Sequence, residues 1–321
     1  IGLGIDLTSI FGEKISFNRL YINEANINLK IDSLGKNNFD IMIPTEEAEK
    51  KNESNLALEL QNFNIKNSNF LYNDNRSKVH LNLNQMNYNG IIDFTKNVLS
   101  LNAKTEIKNV LFRLDQDSWI KNLPLEGNIN TKINIDQLGF YFIDNPLKLA
   151  SFPFNLKGSL EMPEPKQVYN LTISSKNNDL RNIPAIIPEA FQQWAKNVEM
   201  KGTSDLLFTM KGIMNPETGE NPNIYIQTNI KNGFLNYQNS NSPIKSLNLR
   251  SKINLPSLNP DSLAVNVDNL DFKLLDGFTK TNFIYKAGKT MYSEGKINSN
   301  INLTKINIYN HHLELMLSKF F

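Results

Sequence analysis

The chain has 321 residues, 34 of them basic and 32 acidic, with a formal net charge of +2 and no cysteine. That length allows one large domain or two ordinary ones, and a near-neutral balance without a Lys/Arg cluster among aromatics excludes a dedicated nucleic-acid binder. The missing cysteine excludes disulfides, thiolate zinc sites and cysteine nucleophiles, and no run approaches the ~18 apolar residues of a membrane helix.

From the N-terminus, Ile1-Gly2-Leu3-Gly4-Ile5-Asp6-Leu7 alternates and carries a charge, unlike a signal peptide. The absence of an initiating methionine is read as the mark of a piece of a longer chain. Strand patterning follows at once. Ile27, Leu29 and Ile31 share one parity, with Asn26, Asn28 and Lys30 on the other. Pro44 to Asn55 is polar and charged, and its mixed-sign run Glu46 to Lys51 reads as a solvated connector. Beyond it the alternation resumes around Leu58 and Leu60, Leu81 and Leu83, Ile133 and Ile135, Ile224 and Ile226, and Leu247 and Leu249. A period of two puts these side chains on one face of each strand. Asparagine occurs 51 times, mostly on the polar parity or in turn-like positions.

Gly and Asn tolerate the positive φ of tight turns. Asn73-Asp74-Asn75, Asn89-Gly90, Glu126-Gly127, Lys157-Gly158, Asn232-Gly233, Asp276-Gly277 and Glu294-Gly295 therefore predict turns about every ten residues, and an all-β fold of roughly 25 strands. Ile65-Lys66-Asn67, Ile107-Lys108-Asn109 and Ile230-Lys231-Asn232 each lead into a new apolar run. They predict a reused module of strand end, turn and new strand. One helix is expected near 183–197, with Ile187, Phe191, Trp194, Ala195 and Val198 on one face. It would be a lid over the apolar face or a cover for a sheet edge. Asn215 to Pro222 predicts a hairpin tip. An open sheet of that many strands must split into sandwiches or curl into a gutter, and periodicity does not choose between them.

Chemistry is sparse. The three histidines are His80, on a polar parity, and the adjacent His311 and His312. The chain has no zinc-protease, nucleophile-elbow or phosphate-loop pattern. Glu161 and Glu164, or Asp115 and Asp117, read as loop solvation rather than as an acid/base pair. The expectation is a non-enzyme with no metal and no cofactor. The many aromatics follow the alternation and are expected to pack the core.

Two stretches carry a family signature. Ile27 to Ile41 ends in Asp32-Ser33-Leu34-Gly35-Lys36-Asn37-Asn38-Phe39-Asp40-Ile41, and the linker and Phe70-Leu71-Tyr72-Asn73-Asp74 follow. Leu180 to Leu255 holds an Ile183-Pro184 helix start, Lys201-Gly202, Lys211-Gly212, Pro222 and Gly233-Phe234-Leu235-Asn236-Tyr237. Together they resemble the AsmA family. The resemblance implies a long curled antiparallel sheet with an apolar groove, in the periplasm of a double-membraned bacterium. It also implies a missing N-terminal inner-membrane anchor, an outer-membrane partner, and phospholipid passed between the membranes. On that view the chain divides into a β segment over 1–43, a flexible linker over 44–55 and a continuing groove over 56–321. The expected lining is Ile27, Leu29, Leu58, Leu60, Ile65, Leu81, Leu83, Ile133, Ile135, Leu171, Ile173, Ile224, Ile226, Leu247, Leu249, Val265 and Val267. The alternative is a structural or assembly factor for the outer membrane, with the same sheet closed into a self-packed core.

Overall fold

The computed structural model describes residues 1–5, 15–38, 56–57, 62–93, 98–134, 139–163, 165–187, 195, 197–237 and 240–302. The expected linker over 44–55 lies outside the described residues. The described chain forms seventeen strands in one sheet. The first nine are β1 (Gly2–Ile5), β2 (Ile15–Asn23), β3 (Asn26–Ile31), β4 (Leu56–Ala57), β5 (Asn62–Asp74), β6 (Val79–Asp93), β7 (Val98–Leu114), β8 (Asp117–Asn134) and β9 (Gly139–Leu149). The others are β10 (Phe152–Glu161), β11 (Gln167–Asp179), β12 (Val198–Met214), β13 (Asn223–Tyr237), β14 (Ile244–Leu255), β15 (Ala264–Leu274), β16 (Gly277–Lys286) and β17 (Tyr292–Asn300). The structure is 76% strand, and the sheet is curled and not closed. The gutter, not a set of sandwiches, is the architecture adopted.

From β5 onward each strand pairs antiparallel with the next in sequence, a single long meander. The N-terminal end departs from this rule. β2 and β3 lie end to end along β5, both parallel to it, and β4 pairs parallel to β2. Parallel neighbours need a crossover rather than a hairpin, and the chain between β3 and β5 supplies it.

Strands are fewer and longer than the turn signals predicted, up to 18 residues in β8. Gly90, Gly127, Gly158, Gly233 and Gly295 all lie inside strands rather than between them. At Gly158 the reason is local: its φ is +117°, and a Cβ there would come 1.8 Å from the Asn170 carbonyl oxygen of the neighbouring strand. Asp276-Gly277 does mark a turn, where β15 hands over to β16 with Leu274 paired to Gly277. Asn215 to Glu220 closes the hairpin tip between β12 and β13, as expected.

The three Ile-Lys-Asn repeats are not strand ends. Each sits mid-strand at a register shift, between Ile65 and Ser68, between Ile107 and Val110, and between Ile230 and Gly233. Each is a β-bulge. Two consecutive residues face outward, so the inward parity jumps from i to i+3, and the apolar residues after the bulge still face in. β7 shows this directly: Ala103, Thr105 and Ile107 are buried, and so is Val110. Asn67 and Asn232 adopt left-handed φ of 47° and 50°, which Asn tolerates better than most residues. A bulge bends its strand and increases its twist. Further shifts occur on β9, β11, β14 and β15, so the bending is repeated across the sheet and curls it.

Bulges leave backbone N–H groups without a ladder partner. Asparagine and aspartate side chains take over. The Asn67 N–H donates to Asn87 Oδ1 at 2.9 Å, Gln85 N–H to Asn69 Oδ1 at 3.0 Å, Asn177 N–H to Asp205 Oδ1 at 2.8 Å and Asn232 N–H to Asn248 Oδ1 at 3.2 Å. The backbone bond from Asn177 is the main reason the Asp205 carboxyl is held below its usual range. Part of the asparagine richness is therefore structural.

Of the expected helix near 183–197, the described residues show a helical start, and 188–194 and 196 lie outside the described residues. Leu180–Ile186 is a 3-10 helix, capped by Asp179, whose side chain accepts from the Arg181 N–H. Pro184 lies inside it and Ile187 is already extended. Val198, placed on a helical face by periodicity, begins β12. A proline removes one helical donor and disfavours helix in the residue before it. Pro188 therefore explains the extended Ile187.

Candidate functional site: the apolar concave face

The register assigns each residue to a face, because directly paired residues in a sheet point the same way. Leu156, Ile173, Phe208, Ile226, Ile253, Val265 and Tyr285 stand opposite one another in a row across β10 to β16. A second row runs Ile27, Phe70, Leu83, Val110 and Leu123. A third runs Leu29, Tyr72, Leu81, Phe112 and Ile120. Ile133, Phe140, Leu160 and Tyr169 form a fourth.

Fourteen of the predicted lining residues are described, and all lie on this one face: Ile27, Leu29, Ile65, Leu81, Leu83, Ile133, Leu171, Ile173, Ile224, Ile226, Leu247, Leu249, Val265 and Val267. Leu58, Leu60 and Ile135 fall outside the described residues, as do Phe191 and Trp194 of the expected lid. Ile187 is described and half-buried. Periodicity missed Leu156, Phe208, Ile253 and Tyr285. Each stands on its strand's apolar parity, and cross-strand alignment is the signal that adds it to the row.

Which side of the curled sheet is concave follows from one contact. Gln167 Nε2 on β11 donates to Asp74 Oδ2 on β5 at 3.4 Å. Six ladders separate those strands in the sheet. Curling a sheet tilts its strands against the axis, so the end of β5 meets the opposite end of β11. Tyr72, Asp74, Gln167 and Tyr169 all share the parity of the apolar rows. Residues of distant strands can touch only across a concave interior, so the apolar face is the inner one.

Its burial is uneven. Around Ile65, Tyr88 and Ala103 the face packs on itself, with Phe63 edge-on to Tyr88 at 5.5 Å between ring centres. Val267 and Leu247 are also buried. Most of the row from Leu156 to Tyr285 is only half-buried. Among the described residues every strand belongs to the same sheet, so no second sheet covers this row. Followed along the curled sheet, its seven strands cover about 29 Å at the usual strand spacing. Outer-face hollows lie along the bulges and strands, one lined by Asn67, Asn69, Gln85 and Lys108 and another by Asn269, Asp271, Lys280 and Asn298. They are polar and shallow, because bulged backbone and amides make them.

No family model, curated protein or solved structure matches this chain. The residues themselves must therefore carry the reading.

The residues considered for chemistry do not converge among the described residues. His80 lies on the outer face with Nδ1 3.1 Å from Asn73 Oδ1, and its pKa is lowered by partial burial and by Arg113. Asp115 forms an exposed ion pair with Lys78 at 3.1 Å. The Glu164 and Asp117 side chains, His311 and His312 lie outside the described set. No group of His, Asp or Glu among the described residues is arranged to hold a metal ion. No helix among them is long and apolar enough to cross a membrane.

Three inward tyrosines are perturbed. Burial, then the Asp74 charge, pushes Tyr169 up to about 12 from its usual 10.0. Tyr72 is raised further by burial, Asp74 and Tyr169, and Tyr88 by burial alone. Between pH 10 and 12 the unfolded phenol of Tyr169 has lost its proton while the folded one keeps it. The unfolded state then binds fewer protons, so stability falls as pH rises, by about 1.4 kcal/mol per pH unit for each such tyrosine. Urea midpoints measured from pH 9 to 12 should drop steeply above 10. Tyr169→Phe should flatten that drop, and an unchanged slope would show that Tyr169 is exposed.

Proposed function

We propose that this chain is part of an AsmA-like envelope protein that holds lipid acyl chains in its apolar trough and supports phospholipid transport between the inner and outer membranes. One observation carries the reading: a continuous apolar row on the concave face, half-buried and with no second sheet over it among the described residues. Soluble proteins rarely leave such a surface exposed without a partner for it. Each methylene placed there gains about 0.8 kcal/mol, so an acyl chain gains several. Because the row repeats strand after strand, no single deep site would trap it. The periplasmic location, the upstream inner-membrane anchor and the outer-membrane partner come from the sequence resemblance alone.

A second reading, a non-catalytic assembly factor with a closed core, draws on the self-packing around Ile65 and on the contact between Asp74 and Gln167. Native mass spectrometry of residues 1–321 purified gently from bacterial membranes separates the two. Phospholipids bound to each chain are expected. A bare protein that regains none from vesicles would favour the assembly factor.

A further inference from the structure

We propose that Tyr72, Asp74, Gln167 and Tyr169 form a gate across the trough, shut when Gln167 bonds Asp74 and opened to let an acyl chain pass. This rests on the lipid-holding reading above. The four residues set a continuous hydrogen-bonded line beside the apolar rows of the inner face. The Tyr169 hydroxyl donates to Gln167 Oε1, Gln167 Nε2 donates to Asp74 Oδ2 at 3.4 Å, and the Tyr72 hydroxyl donates to the same oxygen at 3.4 Å.

The distribution of bond strength is what makes the contact a gate rather than a weld. Asp74 is 1% exposed. Its own wall holds it through the Arg76 N–H at 2.9 Å, the Ser77 N–H at 3.0 Å and the Ser77 hydroxyl. Gln167 is held on the other wall by Tyr169 and by its place in β11 opposite Met214. The bond that joins the walls, Gln167 to Asp74, is long at 3.4 Å. Hydrogen bonds weaken quickly beyond ~3.2 Å, so the walls can part without dismantling either. When shut, the polar atoms satisfy one another inside a greasy channel, which a buried polar group requires. When open, Asp74 keeps its turn bonds, and Gln167 keeps its bond to Tyr169. The effects of Asp74 on Tyr169 and of Tyr169 on Tyr72, which act from one wall to the other, agree with this closeness across the interior.

The chain has no native cysteine, so an Asp74→Cys, Gln167→Cys pair can be joined by a short bis-maleimide without background. The lipid-free full chain should cross-link in high yield, and failure to cross-link in a folded double variant would overturn the contact. The joined protein should keep bound phospholipid by native mass spectrometry but lose transfer of a fluorescent phospholipid between vesicles. Transfer as fast as in the unjoined double variant would overturn the gate. Because Asp74 also anchors its turn, Gln167→Ala provides a gentler test that leaves the anchor intact. It should transfer up to about fivefold faster, the equivalent of one net hydrogen bond. A rate equal to wild type would overturn the gate. A wild-type chain that takes up no phospholipid would overturn the lipid-holding reading and the gate's role with it, while cross-linking would still report whether the walls meet.

Discussion

Ile226→Lys is expected to reduce phospholipid binding about a hundredfold while the sheet stays folded. Ile226 sits near the middle of the long row, between Phe208 and Ile253, and is half-buried. A lysine at the centre of a hydrocarbon layer costs about 2.5–3.5 kcal/mol relative to apolar surroundings. At 1.4 kcal/mol per factor of ten, that is about two decades of affinity. Folding should tolerate the change, because without lipid the lysine stem covers apolar surface and its head reaches water. The next residue, Gln227, points to the other face. Gln227→Lys is the control and should bind as wild type does. Titration with a fluorescent diacyl phospholipid, alongside circular dichroism, decides the matter. If the Ile226 variant binds within a few-fold of wild type, acyl chains do not occupy this row.

The largest effect on stability is expected from Asn145→Leu. Asn145 is 1% exposed, and it fills the register shift between β8 and β9. Its Oδ1 accepts the Asn130 N–H at 2.6 Å and the Thr131 hydroxyl at 3.4 Å. Its Nδ2 donates to the Asn130 carbonyl at 3.2 Å and to the Leu156 carbonyl at 3.1 Å. Leucine matches it in size but satisfies none of these groups. Each buried backbone group left without a partner costs about 1–3 kcal/mol, so the loss should be on the order of 3–6 kcal/mol, a large share of a domain's net stability. Asn248 does the same work for Asn232 at an exposed position. There water can replace the amide, and Asn248→Leu should cost under about 1 kcal/mol. Urea denaturation of the two variants would show the contrast, and equal small losses would mean that the Asn145 site is open to water.

The sequence alone determined the all-β class and the apolar face. Both follow from a local rule: alternate residues of a strand point to opposite sides, so the Ile, Leu and Val parity is visible without knowing a single neighbour. It also held the bulges, in the form of Ile-Lys-Asn followed by a parity jump. They read as turns, because a left-handed Asn is compatible with either, and only a partner strand running on beside Asn67 or Asn232 shows that the strand continues. The strand count failed for the same reason, with Gly90, Gly127 and Gly158 taken as turn glycines when close neighbouring backbone explains Gly158. The helical stretch near Ile187 was legible in the apolar spacing, but the prolines shape its start: the described part is the 3-10 helix Leu180–Ile186, and Ile187 is extended. What the tertiary structure decided was pairing and curvature: the parallel placement of β2 and β3 on β5, the rows that join Leu156 to Tyr285, and the meeting of Asp74 with Gln167. Those depend on which strands neighbour one another and how far the sheet bends over many ladders, and no local pattern encodes a contact between residues 93 positions apart.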